Sequence, residues 1–156
     1  MTTKTRVPAI DGWFTMAEGA PALLGSRCTS CGNVAFPKET YFCRNPHCRG
    51  TEFAETELSR TGKVWSYTDA GYQPLEPYVA ADPYVPFSIC AVELAAEQMV
   101  VMGQVVPGVG VDDLSVGTEV ELVLGTLYED DDNTYLVWRW KPVASGDSRE
   151  ASGEGA

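Results

Sequence analysis

Histidine occurs only once in the 156-residue sequence, at His47. A serine or cysteine nucleophile usually depends on a neighbouring base, and one histidine leaves little to supply it. The chain also has no glycine-rich phosphate loop, no H-E-x-x-H motif and no G-x-S-x-G motif. The sequence therefore contains no recognisable set of residues that would catalyse a reaction unaided.

Long apolar runs are also missing. No run approaches the roughly 18 apolar residues that a membrane-spanning helix needs, and residues 1–14 lack the apolar core of a signal peptide. We therefore expect no membrane contact and a cytoplasmic location, where thiols stay reduced. Reduced thiols disfavour disulfides among the four cysteines clustered in residues 28–48.

Positive charge is scarce in the second half of the chain. Residues 63–143 contain three Lys/Arg and thirteen Asp/Glu, against seven and six in residues 1–62. A nucleic-acid surface needs cations to neutralise phosphates. The sequence thus predicts no nucleic-acid partner.

Four of the cysteines form two close pairs. Cys28 and Cys31 are separated by two residues, and Cys43 and Cys48 by four. Two tight turns of this kind can direct four sulfurs at one point, which is the tetrahedral geometry of a structural zinc site. Iron accepts the same ligands, and a rubredoxin-like electron carrier is the corresponding alternative. Four sulfurs leave no open position for water, so the predicted zinc is structural.

The fourth ligand is ambiguous from the sequence. His47 adjoins Cys48 and could replace it, although thiolate is the stronger zinc ligand and we favour Cys48. The fifth cysteine, Cys90, lies alone in the apolar segment "FSICAVEL", and there it is expected to be a small buried side chain.

The remaining pattern predicts a mainly β protein. Asp11 is a candidate N-cap for a short helix carrying Trp13 and Phe14, which either packs on the domain or docks onto another protein. Strand-like segments follow Gly62 without a convincing helix, at 63–68, 87–94, 99–106, 118–125 and 134–140. In the fourth segment Val120, Leu122 and Leu124 share one face. Five strands of this size favour an OB-fold barrel. Because zinc ribbons and OB-folds both bind nucleic acids in other proteins, a nucleic-acid-binding module stays open as an alternative. The predicted organisation is an N-terminal arm and helix (1–21), a cysteine module (22–61), the barrel (62–143) and a disordered tail (144–156).

One long segment, residues 69–86, does not fit a minimal barrel. It contains four prolines and three tyrosines, Tyr72, Tyr78 and Tyr84. Loops longer than about 12–15 residues are often functional, and proline stiffness reduces the entropy lost on binding. The tyrosines either lie on the barrel wall or line an interface with a substrate or partner.

The order of these features resembles the DUF35 family of zinc-ribbon OB-fold proteins. The resemblance covers about residues 11–143, and its sharpest parts are "RCTSCG", "FP" at 36–37, "GKV" at 62–64 and "VG" at 116–117. It implies a rubredoxin-like zinc ribbon before the OB-fold. The family's second cysteine pair usually encloses two residues, whereas "CRNPHC" encloses four, which again leaves the fourth ligand open.

The resemblance also implies a function. Members look like accessory subunits of thiolase-fold enzymes, including thiolases and steroid side-chain aldolases, that cleave or form carbon–carbon bonds on CoA thioesters. The implied role is a non-catalytic subunit that docks to the thiolase-like catalytic subunit and helps to enclose the acyl-CoA. Because thiolase-like enzymes are generally dimers, the implied assembly is two plus two.

Overall fold

The computed structural model describes residues 3–144, which form nine β-strands and one short 3-10 turn. The strands are β1 (Thr5–Pro8), β2 (Leu24–Cys28), β3 (Val34–Ala35), β4 (Phe53–Glu57), β5 (Thr61–Asp69), β6 (Ser88–Leu94), β7 (Met99–Val105), β8 (Glu119–Glu129) and β9 (Asn133–Pro142). The 3-10 turn at Val111–Asp113 is the only helical element in that range. No helix there is long and apolar enough to traverse a bilayer.

Five strands close into a barrel. β5 pairs with β6, β6 with β7, and β8 with both β5 and β9, all antiparallel. The ring closes through a parallel contact in which Gln104 and Val105 of β7 face Arg139 and Trp140 of β9. This arrangement confirms the predicted five-stranded barrel, and its strands lie within a few residues of the five predicted segments.

The barrel interior is apolar because alternate residues of each strand point inward. The fully buried side chains include Val64, Val92, Leu94, Val120, Leu122 and Trp140. Of the three residues predicted to share one face of β8, Val120 and Leu122 are in the core, and Leu124 is half-buried and packs against it. Cys90 is among these side chains with no exposed surface, as expected for a small apolar residue.

A second sheet of three strands carries the cysteine module, in the order β3-β2-β4. The segment "NVAFPKETYFC" (33–43) predicts a strand from its sequence. That prediction is wrong beyond Ala35, because only Val34 and Ala35 pair with β2. Pro37 follows soon after and has no N–H to donate to a ladder. β4 was not predicted; it pairs along the whole of β2.

The predicted N-terminal helix is wrong. Residues 11–19 contain no helical turn, and Phe14 instead forms an antiparallel bridge with Leu23. The N–H of Leu24 donates to the carbonyl of Trp13 (2.8 Å), and that of Thr15 to the carbonyl of Ala22 (2.8 Å). So short a segment gains little from helix formation alone, and these cross-chain hydrogen bonds satisfy its backbone instead.

The arm before this segment is also ordered. β1 pairs in parallel with the first half of β9, from Thr5 opposite Asn133 to Pro8 opposite Leu136. β7 contacts only the second half of β9, so β1 occupies an edge that would otherwise be unpaired. The predicted disordered tail lies outside the described residues, apart from Ala144.

An aromatic cluster joins the three parts of the chain. Trp13 stacks on Trp138 with ring centroids 6.1 Å apart, and both make T-shaped contacts with Phe36, with centroids 5.4 and 6.0 Å away. Phe14 packs on Trp138 at 5.9 Å. Of the two interpretations of the N-terminal aromatics, the structure therefore shows packing: the N-terminal segment, the ribbon and the barrel share one hydrophobic cluster.

Candidate metal centre and neighbouring surfaces

The first cysteine pair is formed by the end of β2 and the turn that follows. Cys28 is the last residue of the strand and is buried, whereas Cys31 is exposed in the turn. The N–H of Gly32 donates to the carbonyl of Cys28 (2.9 Å), and Gly32 has a φ of +77°. A glycine is favoured here because residues with a Cβ rarely adopt this left-handed conformation.

The second pair lies in the loop between β3 and β4. The N–H of Cys43 donates to the carbonyl of Gly50 (2.9 Å), which closes the loop. The N–H of Asn45 donates to the Cys43 sulfur (3.4 Å), and the N–H of Gly50 to the Cys48 sulfur (3.3 Å). Backbone donors of this kind stabilise thiolate and orient it as a metal ligand.

The structure brings all four sulfurs together. Every pair of sulfurs lies within 4.8 Å, with Cys28 and Cys48 3.8 Å apart and Cys31 and Cys43 3.5 Å apart. Four sulfurs about 2.3 Å from one zinc ion in a tetrahedron would be about 3.8 Å apart. These separations exceed a disulfide bond of about 2.05 Å. The donor set therefore fits a tetrahedral metal ion.

The electrostatics of the cluster favour a cation. The N–H of Cys31 lowers the pKa of Cys28 to about 7, and a backbone N–H also lowers the pKa of Cys31. The N–H of Asn45 favours the Cys43 thiolate, but burial and the adjoining sulfurs outweigh it and raise the Cys43 pKa to about 12. The pKa of Cys48 is also raised. Four neighbouring thiols cannot all ionise without a compensating positive charge.

His47 and Cys90, the remaining histidine and cysteine that could ligate a metal or act as a base or nucleophile, lie outside the cysteine cluster and apart from each other. His47 is exposed on the loop, and its backbone N–H donates to Oδ1 of Asn45 (3.0 Å). The group of metal-ligating side chains within residues 3–144 contains the four cysteines and not the histidine. Burial raises the pKa of Cys90 to about 12, which disfavours a reactive thiolate there.

The three tyrosines of the long loop have different surroundings. The hydroxyl of Tyr84 donates to the carbonyl of Ala70, and so holds the two ends of the loop together. Tyr78 stacks on Phe87, with ring centroids 5.7 Å apart, and lies beside the outer face of β6 and β7. Tyr72 is 81% exposed, and nearby Leu75 is 89% exposed. The loop is braced from within while one tyrosine projects into solvent.

A cleft of about 470 Å³ lies between this loop and the β7–β8 connection. Its polar lining residues include Asp69, Tyr78, Gln104, Asp112 and Arg139. Arg139 belongs to none of the motifs recognised in the sequence. The available signal was that it is an arginine within an apolar strand, in a part of the chain that has only three cations.

Known proteins share this two-part organisation. Residues 17–54 match the model of the ChsH2 rubredoxin-like zinc ribbon domain, and residues 55–125 match that of the ChsH2 C-terminal OB-fold domain. Among solved structures, the fold is similar to a chain of the Ltp2-ChsH2(DUF35) aldolase. The TM-score is 0.59 and the sequence identity 26%, and the match covers 78% of this chain and 84% of that one.

Curated relatives extend the comparison. A DUF35 domain-containing scaffold protein of Methanocaldococcus jannaschii is 34% identical over 124 residues, which is 78% of this chain and 82% of the relative. The benzoylsuccinyl-CoA thiolase subunit BbsA of Geobacter metallireducens is 36% identical over 130 residues, or 81% and 78% of the two chains. BbsA of Thauera aromatica is 33% identical over 122 residues, which is 78% of this chain and 76% of the relative. The chain belongs to the DUF35 family.

Proposed function

We propose that this chain is a non-catalytic, zinc-containing subunit of a thiolase-fold complex that cleaves or forms carbon–carbon bonds on acyl-CoA thioesters. The observation that carries the proposal is the similarity, along about four fifths of the chain, to subunits of a benzoylsuccinyl-CoA thiolase. The similarity to a chain of the Ltp2-ChsH2(DUF35) aldolase supports the same class of assembly. In this proposal the partner supplies the catalytic residues.

The side chains of this subunit support an accessory role. Within residues 3–144, the lone histidine is exposed on the ribbon and Cys90 is buried in the barrel, so these two residues do not form a nucleophile–base pair. We infer that Cys28, Cys31, Cys43 and Cys48 hold one Zn²⁺, which fixes a ribbon with little core of its own. Because four sulfurs complete the tetrahedral coordination, this ion would have a structural role.

We further propose that the long loop contacts the partner or the acyl group. Its internal contacts, through Tyr78 and Tyr84, hold it in shape before binding, which lowers the entropy lost on association. Tyr72 and Leu75 are the most exposed of the large apolar side chains of the loop, and such a contact would cover them. Aromatic side chains are enriched at the centre of protein interfaces.

A nucleic-acid-binding role is the weaker candidate. OB-folds bind oligonucleotides on the face of their second and third strands, which correspond here to β6 and β7. Tyr78 of the long loop lies beside that face, next to Ile89 and Met102. The charge of residues 63–143 is also strongly negative. The negative charge opposes the basic groove that single strands require.

Co-expression tests the proposal. The chain is produced with a thiolase-like protein encoded next to it, and acyl-CoA turnover is measured for the complex and for each component. We expect the two to co-purify, the complex to be active and this chain to be inactive alone. Full activity of the isolated thiolase-like protein, or thioester turnover by this chain alone, would contradict the assignment.

A further inference from the structure

Arg139 is an unpaired cation in an acidic barrel. Of the three cations in residues 63–143, Lys63 and Lys141 are exposed, whereas Arg139 is half-buried. It forms no ion pair with any carboxylate of residues 3–144. Its Nε is buried without a hydrogen-bond partner in that range. A guanidinium stays charged at any physiological pH, and withdrawing it from water without a counter-ion is costly.

The side chain of Arg139 is held in position by β8. Nη2 donates to the carbonyl of Thr126 at 2.7 Å. The aliphatic part lies across Gly125: a Cβ added there would be 2.8 Å from Cδ and 2.9 Å from Nε of the arginine. A methyl group at residue 125 would force this flexible side chain to move, so the present position of Arg139 depends on a glycine there. The unpaired cation is therefore built into the barrel wall.

The cleft that Arg139 lines has the size and lining of a small-molecule site. Its volume of about 470 Å³ lies within the range of about 300–1,000 Å³ typical of ligand pockets. Apolar walls come from Val85, Val106 and Val109, and polar groups from Tyr78 and Gln104. Burial lowers the pKa of Arg139, opposed in part by Tyr78. A desolvated cation in such a cleft interacts strongly with an anion.

The acidic residues of the cleft restrict what that anion can be. Asp69 and Asp112 are exposed and also line it. Their negative charges repel a second negative charge on a ligand, which disfavours phosphate dianions and dicarboxylates. A single carboxylate can instead accept two parallel hydrogen bonds from one guanidinium. The apolar walls favour a hydrocarbon or aromatic body attached to that carboxylate.

We propose that this cleft binds a small monocarboxylate with an apolar body, whose carboxylate pairs with Arg139. This site belongs to this chain alone and needs no partner subunit. The two proposals are independent. If the cleft binds no ligand, the proposed subunit role is unaffected, and if the subunit role is wrong, the cleft can still bind a carboxylate.

The test is a titration of the zinc-loaded full chain with phenylacetate, followed by backbone amide chemical shifts. We expect saturable shifts at Gly108, Gly110 and the neighbouring cleft amides. Phenylacetamide has the same shape without the charge and should bind about tenfold more weakly or worse, because a charge-assisted hydrogen bond is lost. Inorganic phosphate should also bind more weakly than phenylacetate.

Variants identify the cation. Arg139→Gln should weaken phenylacetate binding at least about tenfold, and Arg139→Lys should weaken it too because lysine lacks the planar fork. Gly125→Ala should have a similar effect by displacing the arginine. Arg6→Gln is the matched control, because Arg6 is an exposed arginine of β1 that lines a different depression.

Three results would overturn the proposal. They are the absence of saturable shifts with phenylacetate, equal binding of phenylacetate and phenylacetamide, and equal affinity of the Arg139→Gln and Arg6→Gln variants. Binding of phosphate as tight as that of phenylacetate would overturn the carboxylate assignment. The comparison of the two probes uses the unaltered chain, so it remains decisive even if a variant at Arg139 does not fold.

Discussion

Gly50 lies directly against Cys28: a Cβ on Gly50 would be 2.7 Å from the Cys28 sulfur and 3.1 Å from Oγ of Ser30. The backbone of the second cysteine loop can approach the first pair only because residue 50 has no side chain. We expect Gly50→Ala to lower zinc affinity by about tenfold, as other changes next to metal ligands do. Competition with a chromogenic chelator measures the affinity.

The matched control for that substitution is Gly71→Ala in the long loop. A Cβ on Gly71 would meet nothing within 4 Å. Its zinc affinity should equal that of the unaltered chain. Equal affinities for the Gly50 and Gly71 variants would contradict the proposed role of the close approach.

The fourth metal ligand is tested by a pair of neighbouring substitutions. Cys48→Ser removes a sulfur from the cluster and should lower the zinc content well below one ion per chain, together with the melting temperature. His47→Ala should retain about one zinc, because His47 is exposed and lies outside the cluster. Elemental analysis of the purified proteins gives the metal content. Loss of zinc in the His47→Ala variant but not in Cys48→Ser would reverse the ligand assignment. A red protein that contains iron would contradict the assignment of zinc as the metal.

The aromatic cluster predicts that replacing one tryptophan by alanine lowers the free energy of unfolding strongly, whereas replacing another changes it little. Trp13 contacts both Phe36 and Trp138, so Trp13→Ala should lower the free energy of unfolding by about 2–4 kcal/mol. Trp65 is 60% exposed, and Trp65→Ala should change it by about 0.5 kcal/mol or less. Urea denaturation of the zinc-loaded proteins measures both values. Similar losses in the two variants would contradict the bridging role of the cluster.

The hydrogen bonds of Asp130 in the β8–β9 turn predict that the stability of the protein depends on pH. Oδ1 of Asp130 accepts the N–H groups of Asp132 (2.9 Å) and Asn133 (2.6 Å), and Oδ2 accepts the hydroxyl of Tyr135 (2.9 Å). The N–H of Asn133 and then the Tyr135 hydroxyl hold the pKa of Asp130 below its usual value. The stabilisation is therefore fully present above the unfolded pKa of about 3.9 and is lost as the pH falls through the lower folded value.

Asp130→Asn should consequently lower the urea midpoint at pH 7 but change it less at pH 3, because pH 3 lies below the unfolded pKa and part of the stabilisation is already lost there. Asp131→Asn is the control, since its carboxylate accepts no hydrogen bond within residues 3–144 and should leave the difference between the two pH values unchanged. A constant effect of Asp130→Asn across this range would contradict the assigned hydrogen bonds.

The proposed partner contact predicts separate effects on binding and stability. Tyr72→Ala should weaken association with the thiolase-like subunit by about tenfold or more if Tyr72 anchors the interface. It should leave the melting temperature unchanged because Tyr72 is 81% exposed. Tyr41, which is 75% exposed on the ribbon, provides the matched control. Equal weakening by Tyr41→Ala would contradict a specific role of the loop.

Local sequence patterns were sufficient to predict the cysteine cluster and most of the strands of the barrel. The spacing of each cysteine pair predicts a turn, and two turns with sulfurs predict one tetrahedral cluster regardless of the remaining fold. The alternation in β8 likewise indicates which face of the strand is buried, as Val120 and Leu122 show. The second pair has an unusual spacing, and its fourth sulfur could be placed only once the loop around Asn45 was folded.

Long-range pairing was not predictable in the same way. The segment around Trp13 has a plausible helix start, yet its backbone hydrogen bonds go to Ala22 and Leu24. β1 has no strong strand signal and is ordered by β9, a strand from the other end of the chain. Tertiary partners overrode weak local preference in both places, because a short helix or an isolated edge strand is marginal in water.

The two cysteine pairs and the five individual strands of the acidic barrel thus follow from the residue order alone, since each depends on neighbours a few positions apart. The three-way aromatic contact of Trp13, Phe36 and Trp138, and the placement of Arg139 across Gly125, required the folded chain. Each joins side chains that are far apart in the sequence, and such contacts arise from the packing of whole elements rather than from any local spacing.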